Sequence, residues 1–315
     1  MSRPQLSLTT VALLLLGMAL VANGQTLAIS GRVSTTAEAV CALRAIAAKH
    51  PDPKVRNPDY LAEKFVGEEF WRISPYRKDP DRARHNPNYF SVNARTHHID
   101  TLLVEALSQG ATQVVNLGAG FDSRAYRFRA RFSQVRFFEL DLPAMIAAKR
   151  ERVLKIFGGI PDRVALVPTD FTTRSLDEVL RDAGYDPAQR TFFIWEGVTM
   201  YLPEAANLST LRFIRSGSAS GSSVVYDYAL DAALLPDGGG LYGARSTAAY
   251  LASVGEPLLT GWSQQRAAVI ATREGLAVVS DLGPAELTAR YLIGADGQPD
   301  GMMAETARIL HARVP

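Results

Sequence analysis

The side chains best suited to chemistry gather around one glycine turn. Val114-Val115-Asn116-Leu117-Gly118-Ala119-Gly120-Phe121-Asp122-Ser123-Arg124 reads as a strand running into a Gly-x-Gly turn. Glycine there permits positive φ and lets a ligand approach the main chain. A dinucleotide fingerprint asks for a third glycine at position 123, where this chain has Ser123, and the gap weakens a nicotinamide reading. About 20 residues further on, Glu139-Leu140-Asp141-Leu142-Pro143 closes a second apolar run, and a carboxylate at that spacing can accept from both hydroxyls of an adenosine ribose. Asp141, just before the helix-starting Pro143, is the better ribose ligand, while Glu139 is either an alternative or a partly buried strand residue beside it. Pro168-Thr169-Asp170-Phe171 and Trp195-Glu196-Gly197 end two further runs. Taken singly, Asp170 could be a cap and Glu196 a turn acid. Together the four strand ends carry Gly, Asp, Asp and Glu, and ligands of open α/β sheets occupy the crevice outside such ends.

These residues need a scaffold that brings successive strand ends together. Apolar or β-branched runs at 113–117, 135–140, 164–167, 191–195 and 223–228 alternate with helical patterns at 143–157, 175–183 and 203–216, and further strands are expected at 277–281 and near 307–314. Strands alternating with helices predict a mostly parallel seven-stranded sheet covered on both faces. Upstream, 33–50 has helical spacing, 51–93 mixes short helical pieces with Pro- and Arg-rich turns, and 93–108 is a helix with Ile99, Leu102, Leu103 and Leu107 on one side. This predicts a helical N-terminal cap over 25–110 and a ligand-binding core over 111–315. The stretch 230–260, with Gly238-Gly239-Gly240 and many small residues, breaks the alternation and is read as a loop and helical insertion over the substrate side.

Composition narrows the classes. The chain has 315 residues, 47% hydrophobic and 21% charged, as in an ordinary globular protein. Lys and Arg are scattered among Asp and Glu for a net charge of +2, so nucleic acid is not implied as a partner. Cys41, the single cysteine, excludes an intrachain disulfide and a cysteine metal cluster, and it reads as a small apolar side chain on the first helix.

The motifs at 116–127 (Asn-Leu-Gly-Ala-Gly-Phe-Asp-Ser-Arg-Ala-Tyr-Arg), at 138–143 (Phe-Glu-Leu-Asp-Leu-Pro) with Lys149, and at 195–202 (Trp-Glu-Gly-Val-Thr-Met-Tyr-Leu) resemble the leucine carboxyl methyltransferase-like family, which includes polyketide O-methyltransferases. The resemblance runs from Thr36-Ala37-Glu38-Ala39-Val40 through Asn93-Ala94-Arg95-Thr96 to Gly261-Trp262, most of the chain. It implies a Rossmann-like class I methyltransferase using S-adenosyl-L-methionine, held by the turn from Asn116 to Gly120. It further implies that Arg95 pairs with the methionyl carboxylate, with Gly118 against it. The resemblance likewise implies Asp141 on the ribose, Asp170 with Phe171 at the adenine, and Glu196 beside the methionyl end. His97-His98 stand where the family more usually has an Arg and a large apolar residue, which bears on the acceptor. No metal is expected, because adjacent histidines on a helix point about 100° apart. His98, His97 and Tyr201 are the candidates for assisting an acceptor.

The expected activity is O-methylation of a small-molecule carboxylate or hydroxyl, or of a peptide carboxylate. The alternatives are a nicotinamide-dependent oxidoreductase and an exported binding protein that keeps the fold without turnover. At the N-terminus, Arg3 precedes the apolar run 11–21, and small Ala22 and Gly24 follow, which reads as a secretory signal over 1–24. The run falls short of the ~20 residues of a membrane span. Such a leader predicts export. A cofactor made in the cytoplasm predicts instead a start at Met18.

Overall fold

The computed structural model describes residues 31–170 and 174–315; the expected signal over 1–24 and Phe171 lie outside them. The strands are β1 (Gln113–Leu117), β2 (Arg136–Asp141), β3 (Val164–Pro168), β4 (Thr191–Trp195), β5 (Ser223–Ala229), β6 (Ala277–Leu282) and β7 (Ala307–Arg313). They form one sheet in the order β3-β2-β1-β4-β5-β7-β6. β1 pairs in parallel with β2 and β4, β2 with β3, and β4 with β5. Every residue of β1, β4 and β5 is buried, which explains why they read as unbroken apolar runs. β7 runs antiparallel to both neighbours, β5 and β6. Strand direction is not written in residue types.

The strand order reverses between β1 and β4, and there the helices after each strand leave to opposite faces, opening a crevice at the carboxyl ends. One face packs a cluster that runs from Cys41, Ile46 and Phe65 of the cap into Val114, Phe137, Phe192 and Val225 of the sheet. The other face packs Val115, Phe138, Trp195 and Tyr226 against Leu211, Ile214 and Trp262.

The cap comprises the Thr35–Ala47 helix, three short helices and a 3-10 turn, and it leads into the long Asn88–Ser108 helix. Ser34 starts the first by accepting from the Ala37 N–H. The long helix begins one turn earlier than its apolar spacing shows, because its first turn packs through Tyr89, Phe90 and Val92. After β5 come two 3-10 turns and the Ala244–Ser253 helix, so the expected insertion is present. It reaches the cap through Asn88 Nδ2 to Thr247 Oγ1 at 3.0 Å and Ser34 Oγ to Glu256 Oε2 at 3.0 Å. It reaches the turn after β4 through the Leu259 and Thr260 N–H groups on the Met200 carbonyl. Among the described residues, no helix is long and apolar enough to cross a membrane.

Candidate functional site

The glycine turn leaves β1 at the reversal point. Gly118 and Gly120 have φ of +77° and +43°, and a Cβ on Gly118 would strike the Val198 side chain beyond β4. Glycine is thus required both for the backbone and for the close approach of two strand exits. The N–H groups of Gly118 and Ala119 donate to the Leu140 carbonyl at 2.9 and 2.8 Å, tying the turn to β2.

Asp141 ends β2 directly beside this turn. It accepts from Gly120 N–H at 2.6 Å and from Leu142 N–H at 2.7 Å. Burial raises its pKa and these two N–H groups oppose the rise. Glu139, two residues earlier, is fully buried. Its carboxylate accepts from Lys149 Nζ at 2.5 Å and from the Tyr126 hydroxyl at 2.6 Å, and Lys149 also reaches the Ala119 carbonyl at 3.3 Å. Of the two readings of Glu139, the buried strand residue is the one observed: it is sealed beneath the turn by Lys149 and Tyr126, whereas Asp141 keeps partial exposure. Asp170 follows β3, and Thr169 N–H on the Asp141 carbonyl at 2.8 Å brings that strand end to Asp141.

The β4 end supplies the opposite wall. Glu196 pairs with Arg95 Nε at 2.8 Å and Arg124 Nη1 at 2.7 Å. Burial works to raise its pKa, but Arg95 and Arg124 outweigh this and hold the carboxyl below its usual range. Arg95 is therefore not a solvated helix residue, because it also pairs with Asp227 of β5. Asn116 is buried and donates from Nδ2 to Asp122 Oδ2 at 3.0 Å, behind the turn.

Sequence reasoning missed most of the charges around this wall. Arg124 bridges Asp100 at 2.6 Å, Asp122 at 2.5 Å and Glu196. Arg127 meets Asp100 at 2.6 Å, and Arg44 of the cap meets Asp59 at 2.9 Å and the Phe121 carbonyl at 2.8 Å. The Ser123 hydroxyl donates to Asp59. Asp122, Ser123 and Arg124 were visible as part of a motif, and Asp227 as an acid inside an apolar strand. Nothing in the spacing said that they join one network.

Tyr201 stands in the 3-10 turn Thr199–Tyr201, half-buried; burial first, then Glu256 and Asp227, raise its pKa, so it keeps its proton at neutral pH. The histidines lie elsewhere. His98 Nδ1 meets the Tyr291 hydroxyl at 2.9 Å, and the His97 ring stacks on Tyr291 with centroids 5.9 Å apart. Burial lowers the pKa of both, that of His98 to about 4. Among the described residues, no group of three or more His, Cys, Asp or Glu is placed to hold a metal ion.

The leucine carboxyl methyltransferase family profile matches residues 37–215, from the cap through the helix after β4. A protein of Mycolicibacterium smegmatis, provisionally named an S-adenosyl-L-methionine-dependent methyltransferase, is 32% identical over 69% of this chain and 74% of its own. A similarly named protein of Bacillus subtilis is 29% identical over 70% of this chain and 71% of its own. The N-methyltransferase NodS of Bradyrhizobium japonicum is a distant structural likeness, with a TM-score of 0.41 and 15% identity over 70% of this chain and 97% of that one. The nicotinamide and binding-protein alternatives find no support in these matches. The seven-stranded sheet, the glycine turn and the family match agree, and the chain belongs to the leucine carboxyl methyltransferase family as an S-adenosylmethionine-dependent methyltransferase.

Proposed function

We propose that this methyltransferase acts on oxygen, with a small carboxylate or hydroxyl compound, or a peptide's terminal carboxylate, as the acceptor. The cofactor half of this reading is carried by Gly118, Asp141, Arg95 and Glu196 at the sheet's reversal point, and the oxygen half by the family match. Their chemistry fits the cofactor: a bare glycine backbone for close approach, a strand-end carboxylate for ribose hydroxyls, and a guanidinium with a carboxylate for the two charged groups of an amino acid. Arg95 takes the methionyl carboxylate, with Glu196 beside it. Gly118 and Gly120 form the floor, backed by Asn116. Asp141 accepts from the ribose, and Asp170 adjoins the adenine.

Bound S-adenosylmethionine supplies an electrophilic methyl on its sulfonium, open to in-line displacement. The chain then has to align the acceptor oxygen and exclude water. The cap, 25–110, and the insertion after β5 serve this purpose over the core, 111–315. A carboxylate acceptor is already ionised and needs no base, whereas a hydroxyl benefits from one. Tyr201, which keeps its proton, would serve by donating a hydrogen bond that orients an acceptor oxygen; His98, neutral but turned to Tyr291, is the weaker helper. The carboxyl acceptor in the family's name supports an oxygen acceptor here.

The test is transfer of labelled methyl across a panel of carboxylates, phenols and amines. We expect base-labile esters or base-stable ethers. Label found only on nitrogen would overturn the oxygen assignment and leave the cofactor untouched.

A further inference from the structure

Asp227 is the only acid in the fully buried strand β5, whose sequence is Ser-Val-Val-Tyr-Asp-Tyr-Ala. An isolated carboxylate there would be costly, and it is satisfied on every side. Oδ1 accepts from the Gly197 N–H at 2.6 Å, Oδ2 pairs with Arg95, and the Asp227 carbonyl accepts from Thr199 Oγ1 at 2.6 Å. Parallel pairing of Trp195 with Tyr226 sets this register and leaves Asp227 beside the Glu196-Gly197 exit of the neighbouring strand. Gly197 itself has φ +69°, so the exit is a left-handed turn that needs an external acceptor for its N–H.

We propose that Asp227 is a positioning residue for the methionyl end of the cofactor. It fixes the Arg95 guanidinium and the Glu196-Gly197 turn relative to one another and, being 2% exposed, does not reach the ligand itself. The proposal rests on the reading above that Arg95 and Glu196 face that end. Both of its side-chain partners are donors, so only a carboxylate, with acceptor capacity on two oxygens, satisfies both. An amide would satisfy one and aim its own N–H groups at the other. Arg95 would then keep Glu196 as its single anionic partner and lose its fixed orientation.

The experiment compares two ligands by calorimetric titration of the full chain. S-adenosylhomocysteine carries the amino-acid end, and 5′-methylthioadenosine lacks it. Asp227→Asn should weaken S-adenosylhomocysteine about tenfold, the scale of a charge-assisted hydrogen bond, and change methylthioadenosine less than about twofold. In an Arg95→Met background the same substitution should add almost nothing, since its route of action is gone. Equal weakening of both ligands, or full additivity with Arg95→Met, would show a general structural role and overturn the proposal. If the unaltered chain bound the two ligands equally well, the placement of Arg95 and Glu196 would itself fall, a separate and recognisable result. Should the Asn chain not fold, Asp227→Glu keeps the charge but shifts it by one methylene, and it should give the same contrast between ligands.

Discussion

Arg95 and His98 stand one turn apart on the same helix and lead into two regions that treat burial in opposite ways. Around Arg95, buried groups are paired charge to charge: Arg95 with Glu196 and Asp227, and Arg124 with Asp100, Asp122 and Glu196. Around His98, burial strips the charge instead, and the rings of His98 and His311 are held neutral with pKa values lowered to about 4. Both ring nitrogens of His311 and the Nε2 of His98 have no hydrogen-bond partner among the described residues. Paired charges are expensive to assemble and gain little stability over apolar packing. We propose that their concentration beside the exits of β1 and β4 serves recognition of a charged ligand. The histidine interface behaves as core.

The sharpest way to break this comparison is Arg124→Ala, which leaves Asp100, Asp122 and Glu196 buried without their shared cation. Loss of one partner from a buried ion pair costs about 3–5 kcal/mol, and we expect a fall of that size in urea unfolding. A change under about 1 kcal/mol would mean the network is solvated in solution.

Asp141→Ala should act on affinity more than on stability. Its carboxylate stands half-buried at the crevice, and each charge-assisted hydrogen bond lost to a ribose hydroxyl is worth about 1.5–3 kcal/mol. Titration with S-adenosylmethionine checks this, with the melting temperature as a control for folding. An unchanged dissociation constant in a folded variant would move the ribose away from β2.

Acid tests the neutral side. The unfolded state binds protons at His98 and His311 near pH 6.5, and the folded state does so only near pH 4, so stability is full above 6.5 and declines as the pH falls through that window. Each histidine adds a slope of about 1.4 kcal/mol per pH unit inside it. His311→Phe should remove one such slope in urea titrations from pH 7 to 4.5 and cost little at pH 7, where the ring already lacks partners. An unaltered slope would remove His311 from the explanation.

The smallest expected effect is none. Asp141 is engaged by main-chain N–H groups and Glu196 by guanidiniums, and among the described residues no group of three or more His, Cys, Asp or Glu is placed to hold a metal ion. Methyl transfer should therefore proceed at the same rate with EDTA. Loss of activity restored by Mg²⁺ would make the strand-end acids metal ligands and would erase the contrast between the two regions.

What the sequence determined by itself was local. All seven strands were legible within a residue or two: the central β1, β4 and β5, buried on both faces, are largely apolar, and the edge strands β3 and β6 are short apolar or β-branched runs bounded by turn residues. The glycine turn was legible because only glycine tolerates its backbone and the closeness of Val198, and Asp141 and Glu196 because each sits where an apolar run stops. The tertiary structure alone decided how these pieces meet. It reversed β7, since strand direction leaves no trace in side-chain types. It separated Glu139 from Asp141, because only the packing of Lys149 and Tyr126 shows that Glu139 is sealed from solvent while Asp141 keeps partial exposure. It also joined Arg44, Asp59, Asp100, Arg124 and Asp227 into one network. The partners there lie as far apart in sequence as Arg95 and Asp227, and the energy that selects them exists only once the sheet has removed water from between them.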